Sequence, residues 1–182
     1  MSEPDGPVVT IEPGGRTLTI EARRRETGLY GAAPWREEWK PLPPRLHATF
    51  REAVDVEFTA AVVAAREVTV GDYNAFCAAT ERAPVDGSDD DIVTNIAFDD
   101  AVAYATWRGA RLPTEHEWQL AAGDPSFARG DSAVWNWTAS EHRDGATRFV
   151  ILKGGATYRA TESEWYFDGG IRAPEFSAKY LL

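Results

Sequence analysis

The chain has 182 residues, of which 43% are hydrophobic and 12% aromatic, the composition of a folded protein of one-domain size. Its formal net charge of -10 argues against nucleic acid and anionic membranes as partners, because both are negatively charged. No apolar run approaches the roughly 20 residues of a membrane helix, and the N-terminus lacks the features of a secretory signal. The expected compartment is therefore the cytoplasm.

The N-terminal part of the chain is predicted to be extended. Residues 1–7 are polar and expected to be flexible. Residues 8–22, VVTIEPGGRTLTIEA, indicate two strands around a Pro-Gly-Gly turn. Residues 28–46 are rich in Pro, Gly and Trp, which predicts an irregular segment held to the surface by its aromatic side chains. Residues 54–58 alternate again, and residues 60–69 continue the extended region.

The middle of the chain is predicted to form three helices. The first carries Cys77 on an apolar face, where a cysteine is usually a small core residue. As the single cysteine, Cys77 excludes a disulfide within the chain and disfavours a zinc site. The second helix has acids in its first turn and Gly109 as its stop. The helices are expected over residues 69–80, with Tyr73, Phe76, Cys77 and Thr80 sharing a face, and over residues 98–109 and 114–123.

The third helix contains two carboxylates around an imidazole, Glu115, His116 and Glu117. Successive helix residues point about 100° apart, so the three side chains cannot converge on one ion. Thr114 and Glu117 instead have the spacing of a capping box, in which each side chain bonds the other's backbone N–H. This pattern predicts a structural role for Glu117, a helix that ends at Gly123 and a solvated His116.

The stretch that holds this helix, GARLPTEHEWQLAA, resembles the signature of the sulfatase-modifying-factor family, the formylglycine-generating enzymes and their relatives. REVTVGDYNAFCAAT, VTNIAFDDAVAYATW, VWNWTAS and ILKGGATYRA match other family segments in the same order. The resemblance implies a compact α+β fold related to C-type lectins, with short strands, about three helices and much ordered loop. Residues 8–182 are expected to form a single domain, with the signature in residues 56–160.

The oxidase members of that family carry a cysteine pair a few residues after the strand that KGGATY resembles. Those thiolates hold copper(I), which converts a substrate cysteine to formylglycine. Counted from Gly154 and Gly155, the two positions are occupied here by Arg159 and Glu164. Neither side chain replaces a soft dithiolate ligand for copper(I). The resemblance therefore predicts the scaffold without the oxidase chemistry.

Two other properties of the family concern metals. Its sulfoxide synthases in thiol-histidine biosynthesis take iron-binding histidines from a separate helical domain, for which this chain has no room. Some members bind calcium near the VWNW segment, where Asp131 and Asn136 are weak candidate ligands. The acidic run from Asp86 to Asp91 lacks an EF-hand spacing and is expected to be a solvated loop. No cofactor is otherwise expected.

The C-terminal segment departs from the family pattern. Members normally close with a GFR strand, whereas this chain ends in FSAKYLL. Either that strand is missing, which would make the domain short at its C-terminus, or another segment substitutes for it. Leu181 and Leu182 suggest a docked segment, and a bare sheet edge tends to pair. A homo-oligomer formed through this segment is therefore predicted.

The candidate binding site lies after the Gly154-Gly155 turn, where the resemblance places a substrate cleft. An aromatic, mixed-charge groove there would take a small polar ligand, a peptide or a protein. The alternative is that these aromatics fill the core beneath loops. His142, with an ordinary pKa near ~6.5, is a candidate acid or base or a solvated loop residue. The predicted binding residues are Arg159, Glu164, Trp165, Tyr166, Asp168 and His142.

Two functions remain open from the sequence. The first is a non-catalytic binding domain that has lost the copper-binding cysteines. The second is an enzyme of unassigned chemistry, related to the oxidoreductases of the family, with its metal or reactive groups supplied by a partner or by polar cleft residues. A convergent polar cluster with strongly shifted pKa values would favour the second.

Overall fold

The structure, a computed structural model, describes residues 6–23, 49–129, 134–156 and 170–182. The predictions made for residues 1–5, 28–46, 131 and 157–169 lie outside these ranges. The described strands are β1 (Val8–Ile11), β2 (Gly14–Arg23), β3 (Thr49–Phe58), β4 (Ala61–Ala64), β5 (Asn136–Asp144), β6 (Thr147–Lys153), β7 (Gly155–Ala156), β8 (Gly170–Ile171) and β9 (Phe176–Leu181). The described helices are α1 (Val70–Ala79), α2 (Phe98–Trp107) and α3 (Glu115–Ala122).

A five-stranded sheet in the order β3-β2-β9-β6-β5 organises the described part of the chain. β2 and β3 pair antiparallel over their full lengths. β9 runs parallel to β2 on one side and antiparallel to β6 on the other. Two smaller ladders join β1 to β4 and β7 to β8. Together with three helices, this arrangement confirms the predicted α+β class.

The two strands predicted around the Pro-Gly-Gly turn are present but do not pair with each other. β1 pairs with β4, from Val8 opposite Ala64 to Ile11 opposite Ala61, whereas β2 belongs to the large sheet. Gly14 has a φ of +133°, a value that L side chains rarely adopt. The turn therefore carries the chain from one sheet to the other.

The first helix packs as predicted, with one correction. Thr69 and Asp72 form a capping box at its start. Tyr73, Phe76 and Cys77 are buried together, and Cys77 is only 2% exposed. Thr80, predicted to share this face, is exposed instead, and its hydroxyl donates to the carbonyl of Phe76. It lies at the C-cap, where the helical path has already ended.

The second and third helices complete the framework. In α2, Tyr104 lies edge-on to Phe76 of α1, with ring centroids 5.7 Å apart. α2 ends before Gly109, whose φ of +69° fits its predicted role as a stop. α3 contacts β1, β4, β5 and β6, so it lies between the two sheets. Its first backbone N–H, that of Glu115, donates to the Ser140 hydroxyl at 2.9 Å.

The C-terminal segment forms an interior strand of the large sheet. β9 pairs with β6 from Lys153 opposite Ser177 to Phe149 opposite Leu181. The FSAKYLL segment is therefore paired with β2 on one side and β6 on the other, and β9 is not a bare edge strand. Leu181 and Leu182 are 59% and 44% exposed, and the homo-oligomer predicted through them stays a prediction. Among the described residues, no helix combines the length and apolarity needed to cross a bilayer.

Candidate functional site

Most of the predicted binding residues lie outside the described ranges. Arg159, Glu164, Trp165, Tyr166 and Asp168 all fall within residues 157–169, which the structure does not describe. The structure instead describes the two chain ends that bracket this segment, Gly154–Ala156 and Gly170–Glu175, and the side chains that hold them. We call these two ends and the residues bonded to them the frame of the candidate site.

His142 is the predicted site residue that the structure does describe. The loop predicted for it is wrong, because His142 lies within β5, opposite Phe149 of β6. It is half-buried, and the two rings are 6.3 Å apart. β5 continues past a register shift between Trp137 and Glu141 into a β-hairpin that turns at Gly145, and this longer strand places His142 in the sheet.

The frame begins with a turn that only glycine fits. Gly154 and Gly155 have φ values of +107° and +100°. A Cβ on Gly154 would lie 2.8 Å from both the Val134 carbonyl oxygen and the Asn136 side-chain nitrogen. The turn is therefore fixed by backbone conformation and by close packing. It directs the chain out of β6 into β7.

The two ends of the frame are bonded to each other. Ala156 of β7 pairs with Gly170 of β8, and the Arg172 N–H donates to the Gly154 carbonyl at 2.9 Å. The Arg129 guanidinium donates to the Gly154 carbonyl at 2.6 Å and to the Arg172 carbonyl at 2.7 Å. Residues 154–156 and 170–172 are therefore anchored to each other.

A buried lysine, Lys153, bonds the second end of the frame. Lys153 is fully buried and donates to the Gln119 side-chain oxygen at 2.9 Å. It also donates to the carbonyls of Pro174 and Glu175, each at 3.3 Å. Burial lowers the pKa of Lys153 from 10.5 to about 8, although the carboxylates of Glu115 and Glu175 favour its charged form.

The sequence reasoning missed this polar network. Gln119 joins Lys153 to the sheet, since its amide nitrogen donates to the Thr19 carbonyl at 2.8 Å. One signal was available in FVILKGG, where the unbroken apolar run up to Lys153 indicates a strand buried on both faces. Arg129 follows an irregular segment, and no local pattern marks it.

The capping box predicted at the start of α3 is confirmed and extended. The Thr114 hydroxyl accepts from the Glu117 N–H at 3.2 Å, and the Glu117 carboxylate accepts from the Thr114 N–H at 2.7 Å. Arg111 adds two bonds of 2.7 Å to the same carboxylate. These bonds, above all those from Arg111, lower the pKa of Glu117 to about 2 despite its burial. Glu117 is thus a structural residue.

His116 departs in part from its prediction. It is half-buried and not fully solvated, and it lines a cavity of about 360 Å³ with Glu57, Phe58 and Ser140. Glu117 lines the same cavity, but its carboxylate is bonded to Arg111 and to the Thr114 N–H. The structural interpretation of the Glu-His-Glu trio is therefore retained.

We expect Thr114→Ala to lower the free energy of unfolding by about 0.5–2 kcal/mol, since it removes the hydroxyl that caps α3. His116→Ala should leave the free energy of unfolding nearly unchanged, because His116 is not part of the capping box. Urea unfolding of both variants measures the difference. Loss of a bound metal or of an activity in His116→Ala would refute the structural interpretation of this helix.

The weak calcium site suggested for Asp131 and Asn136 stays a prediction, because only Asn136 lies in the described part of the chain. Asn136 lies 3.5 Å from the Glu67 carboxylate and donates to the Val134 carbonyl, while Asp131 falls outside the described residues. The acidic run from Asp86 to Asp91 is exposed, as predicted. Among described residues, no group of three or more His, Cys, Asp or Glu side chains is arranged to hold a metal ion.

Comparison with known proteins agrees with the family resemblance. Formylglycine-generating enzyme from Thermomonospora curvata is 63% identical across 41% of this chain and 23% of that protein. Inactive C-alpha-formylglycine-generating enzyme 2 from Bos taurus is 57% identical across 34% of this chain and 37% of that protein. Hercynine oxygenase from Mycobacterium tuberculosis is 45% identical across 30% of this chain and 13% of that protein.

These matches cover well under two thirds of each relative's length, at most 37% in the bovine protein. The family match is more extensive, since residues 6–163 match the sulfatase-modifying factor enzyme 1-like domain. The sequence has one cysteine and therefore no cysteine pair. The chain belongs to the sulfatase-modifying factor enzyme 1-like family, of which it is a member without the cysteine pair.

Proposed function

We propose that this chain is a binding module of the formylglycine-generating-enzyme type, without the oxidase activity. One observation carries the proposal: Cys77, the single cysteine, is 2% exposed in the core beside Tyr73 and Phe76. A copper(I) site of the oxidase kind needs two thiolates. Arg159 and Glu164 stand at the positions that resemble the cysteine pair, so the chain cannot supply that ligand set.

The frame supports a binding role for residues 159–172. Its hydrogen bonds hold residues 154–156 and 170–172 together, and preorganisation of this kind lowers the conformational entropy that binding must remove. The bonds of Arg129 and Lys153 to backbone carbonyls serve this purpose without exposing a reactive group.

The proposed ligand has an apolar body and a polar or cationic group. Trp165 and Asp168 lie three residues apart in the sequence, next to the glycine pair Gly169 and Gly170, a residue type that permits a sharp turn. An aromatic face beside a carboxylate recognises a cation through both the ring quadrupole and the opposite charge. Small organic amines and peptides with lysine or arginine are therefore the classes to screen.

The test is Trp165→Ala. A panel of organic amines and lysine-containing peptides is first screened by saturation-transfer NMR, and any binder is then titrated against the variant. We expect binding to be lost while the melting temperature changes little. Trp107→Ala is the matched control, because Trp107 is 39% exposed on α2 and is not part of the proposed binding region 159–172. If Trp165→Ala unfolds the protein, Trp165 is a core residue and the proposed site is wrong.

The similarity to a hercynine oxygenase keeps one alternative, an enzyme whose metal or reactive groups come from a partner or from polar cleft residues. The two functions differ in what happens to the ligand. A binding module returns the captured compound unchanged, whereas an enzyme converts it. Mass spectrometry of the compound after prolonged incubation, with and without added iron, separates them.

A further inference from the structure

In the described part of the chain, β5 is an edge strand of the large sheet, whose order is β3-β2-β9-β6-β5. Residues 141–144 of β5 pair with residues 147–150 of β6, so one side of β5 is occupied by that ladder. The other side of an edge strand presents N–H and C=O groups to which another chain can bond. Glu141 and Arg143 are both exposed on this strand.

A hydrogen bond of β6 shows which residues of β5 turn their backbone groups outward. The Leu182 N–H donates to the Arg148 carbonyl at 3.1 Å, so Arg148 directs its backbone polar groups to the side of β9. The side to which these groups point alternates along an antiparallel strand. Arg143 lies opposite Arg148 and therefore turns its N–H and C=O away from β6. Glu141, two residues earlier, does the same.

This outer edge is complementary to itself. When two copies of β5 are paired antiparallel about a twofold axis at His142, Glu141 of each copy lies opposite Arg143 of the other. Both residues turn their backbone groups outward, so this register forms two hydrogen-bonded residue pairs. It also forms two cross-strand pairs of opposite charge, which stabilise such a ladder. A twofold interface, in which the same residues meet from both sides, is the commonest form of dimer.

The other edge strand, β3, lacks this complementarity. It carries three carboxylates and one cation, Glu52, Asp55, Glu57 and Arg51, and the cation already bonds Glu21 of β2. Two copies of β3 would bring mainly like charges together, and charges of this kind keep edge strands from pairing. The charge pattern therefore favours self-association through β5 and disfavours it through β3.

We propose that two copies of this chain associate through β5, antiparallel about His142, with Glu141 of each copy paired to Arg143 of the other. The shared ladder covers residues 140–144 of each copy and continues the large sheet across the axis. Because this interface is small, the dimer dissociates on dilution. The contact lies at the sheet edge, and it is distinct from the oligomer predicted through Leu181 and Leu182. It is also independent of the proposed ligand site.

Charge reversal tests the register. Glu141→Arg places an arginine opposite Arg143 of the other copy, and Arg143→Glu places a carboxylate opposite Glu141. Each variant alone should self-associate about tenfold more weakly than the wild type, or less, because both charge pairs of the interface become repulsive. In an equimolar mixture, one variant pairs with the other through opposite charges at both positions. The mixture should therefore recover the wild-type association.

Analytical ultracentrifugation from micromolar to millimolar protein measures these differences. Glu141→Arg also removes the exposed pair with Arg148 within one copy, which contributes little to folding. Circular dichroism checks that each variant keeps the wild-type fold. We expect the wild type to shift from monomer to dimer as its concentration rises.

Arg143→Pro tests the backbone contact separately. The Arg143 N–H points away from β6, so proline leaves the ladder within one copy intact and removes a donor of the proposed interface. This variant should stay monomeric at concentrations where the wild type is dimeric. Leu181→Asp is the comparison, because Leu181 is exposed at the end of β9 and is not part of the β5 edge. It should associate as the wild type does.

Three results would overturn the proposal. The first is a wild type that stays monomeric at millimolar concentration. The second is a mixture of Glu141→Arg and Arg143→Glu that associates no better than either variant alone. The third is a dimer that survives Arg143→Pro and is lost in Leu181→Asp, which would place the contact at the C-terminal segment. If Arg143→Pro does not fold, the two charge variants and their mixture still decide.

Discussion

Gly154→Ala should destabilise the protein more than any other single substitution considered for the frame. The φ of +107° costs an L-residue about 1–2 kcal/mol. The new methyl group would also lie 2.8 Å from the Val134 carbonyl oxygen and from the Asn136 side chain. Overpacking of this kind adds about 1–3 kcal/mol. We therefore expect a loss of about 2–5 kcal/mol in the free energy of unfolding, measured by urea denaturation.

Gly145→Ala is the matched control for this substitution. Gly145 also has a positive φ, +58°, at the turn between β5 and β6, but an added Cβ would meet nothing within 4 Å. It should lose only the conformational cost, about 1–2 kcal/mol. Equal losses in the two variants would show that crowding at Gly154 contributes nothing and that the frame is not closely packed there.

The second large effect is expected in acid. The folded-state pKa of Glu117, about 2, lies below the ordinary 4.5, so its contribution to stability is present above pH 4.5 and is lost as the pH falls toward 2. That difference corresponds to about 3 kcal/mol, reduced by solvent because the Arg111 side chain is 59% exposed. We expect the free energy of unfolding to fall more steeply below pH 4.5 in the wild type than in Glu117→Gln.

Urea unfolding between pH 6 and acid conditions gives the two curves. Glu141→Gln serves as the comparison, because Glu141 pairs with Arg148 on the exposed face of the β5–β6 hairpin. Its removal should change the pH dependence much less than removal of Glu117. Parallel curves for the wild type and Glu117→Gln would mean that the Arg111 pair does not stabilise the folded state.

Local patterns predicted local structure well. The i, i+3, i+4 spacing of Tyr73, Phe76 and Cys77 located a buried helix face, and Thr114 with Glu117 located a helix start. Each of these features depends on atoms within one or two turns of chain, and its sequence signature is correspondingly short. The core position of Cys77, on which the proposed function depends, was predictable for this reason.

Long-range pairing was not predictable in the same way. Gln119 bonds Thr19 across a separation of 100 residues, and β1 pairs with β4 instead of its neighbour β2. Arg129 and Lys153 bond the backbone carbonyls of residues 172, 174 and 175. Backbone acceptors are the same for every residue type, so the sequence does not mark them. The family resemblance predicts where a cleft belongs, whereas the bonds of Arg129 and Lys153 to these carbonyls emerged only from the three-dimensional arrangement.

The central claim, a formylglycine-generating-enzyme scaffold without the oxidase, is tested most directly by the reaction itself. The protein is incubated with a cysteine-containing sulfatase peptide, oxygen, a thiol reductant and copper(I), with the Thermomonospora curvata formylglycine-generating enzyme as the positive control. Mass spectrometry then follows the peptide. We predict that the control converts the cysteine to formylglycine and that this protein leaves it unchanged, because Arg159 and Glu164 supply no dithiolate. Formation of the aldehyde peptide by the purified chain, at a rate that depends on copper, would contradict the account.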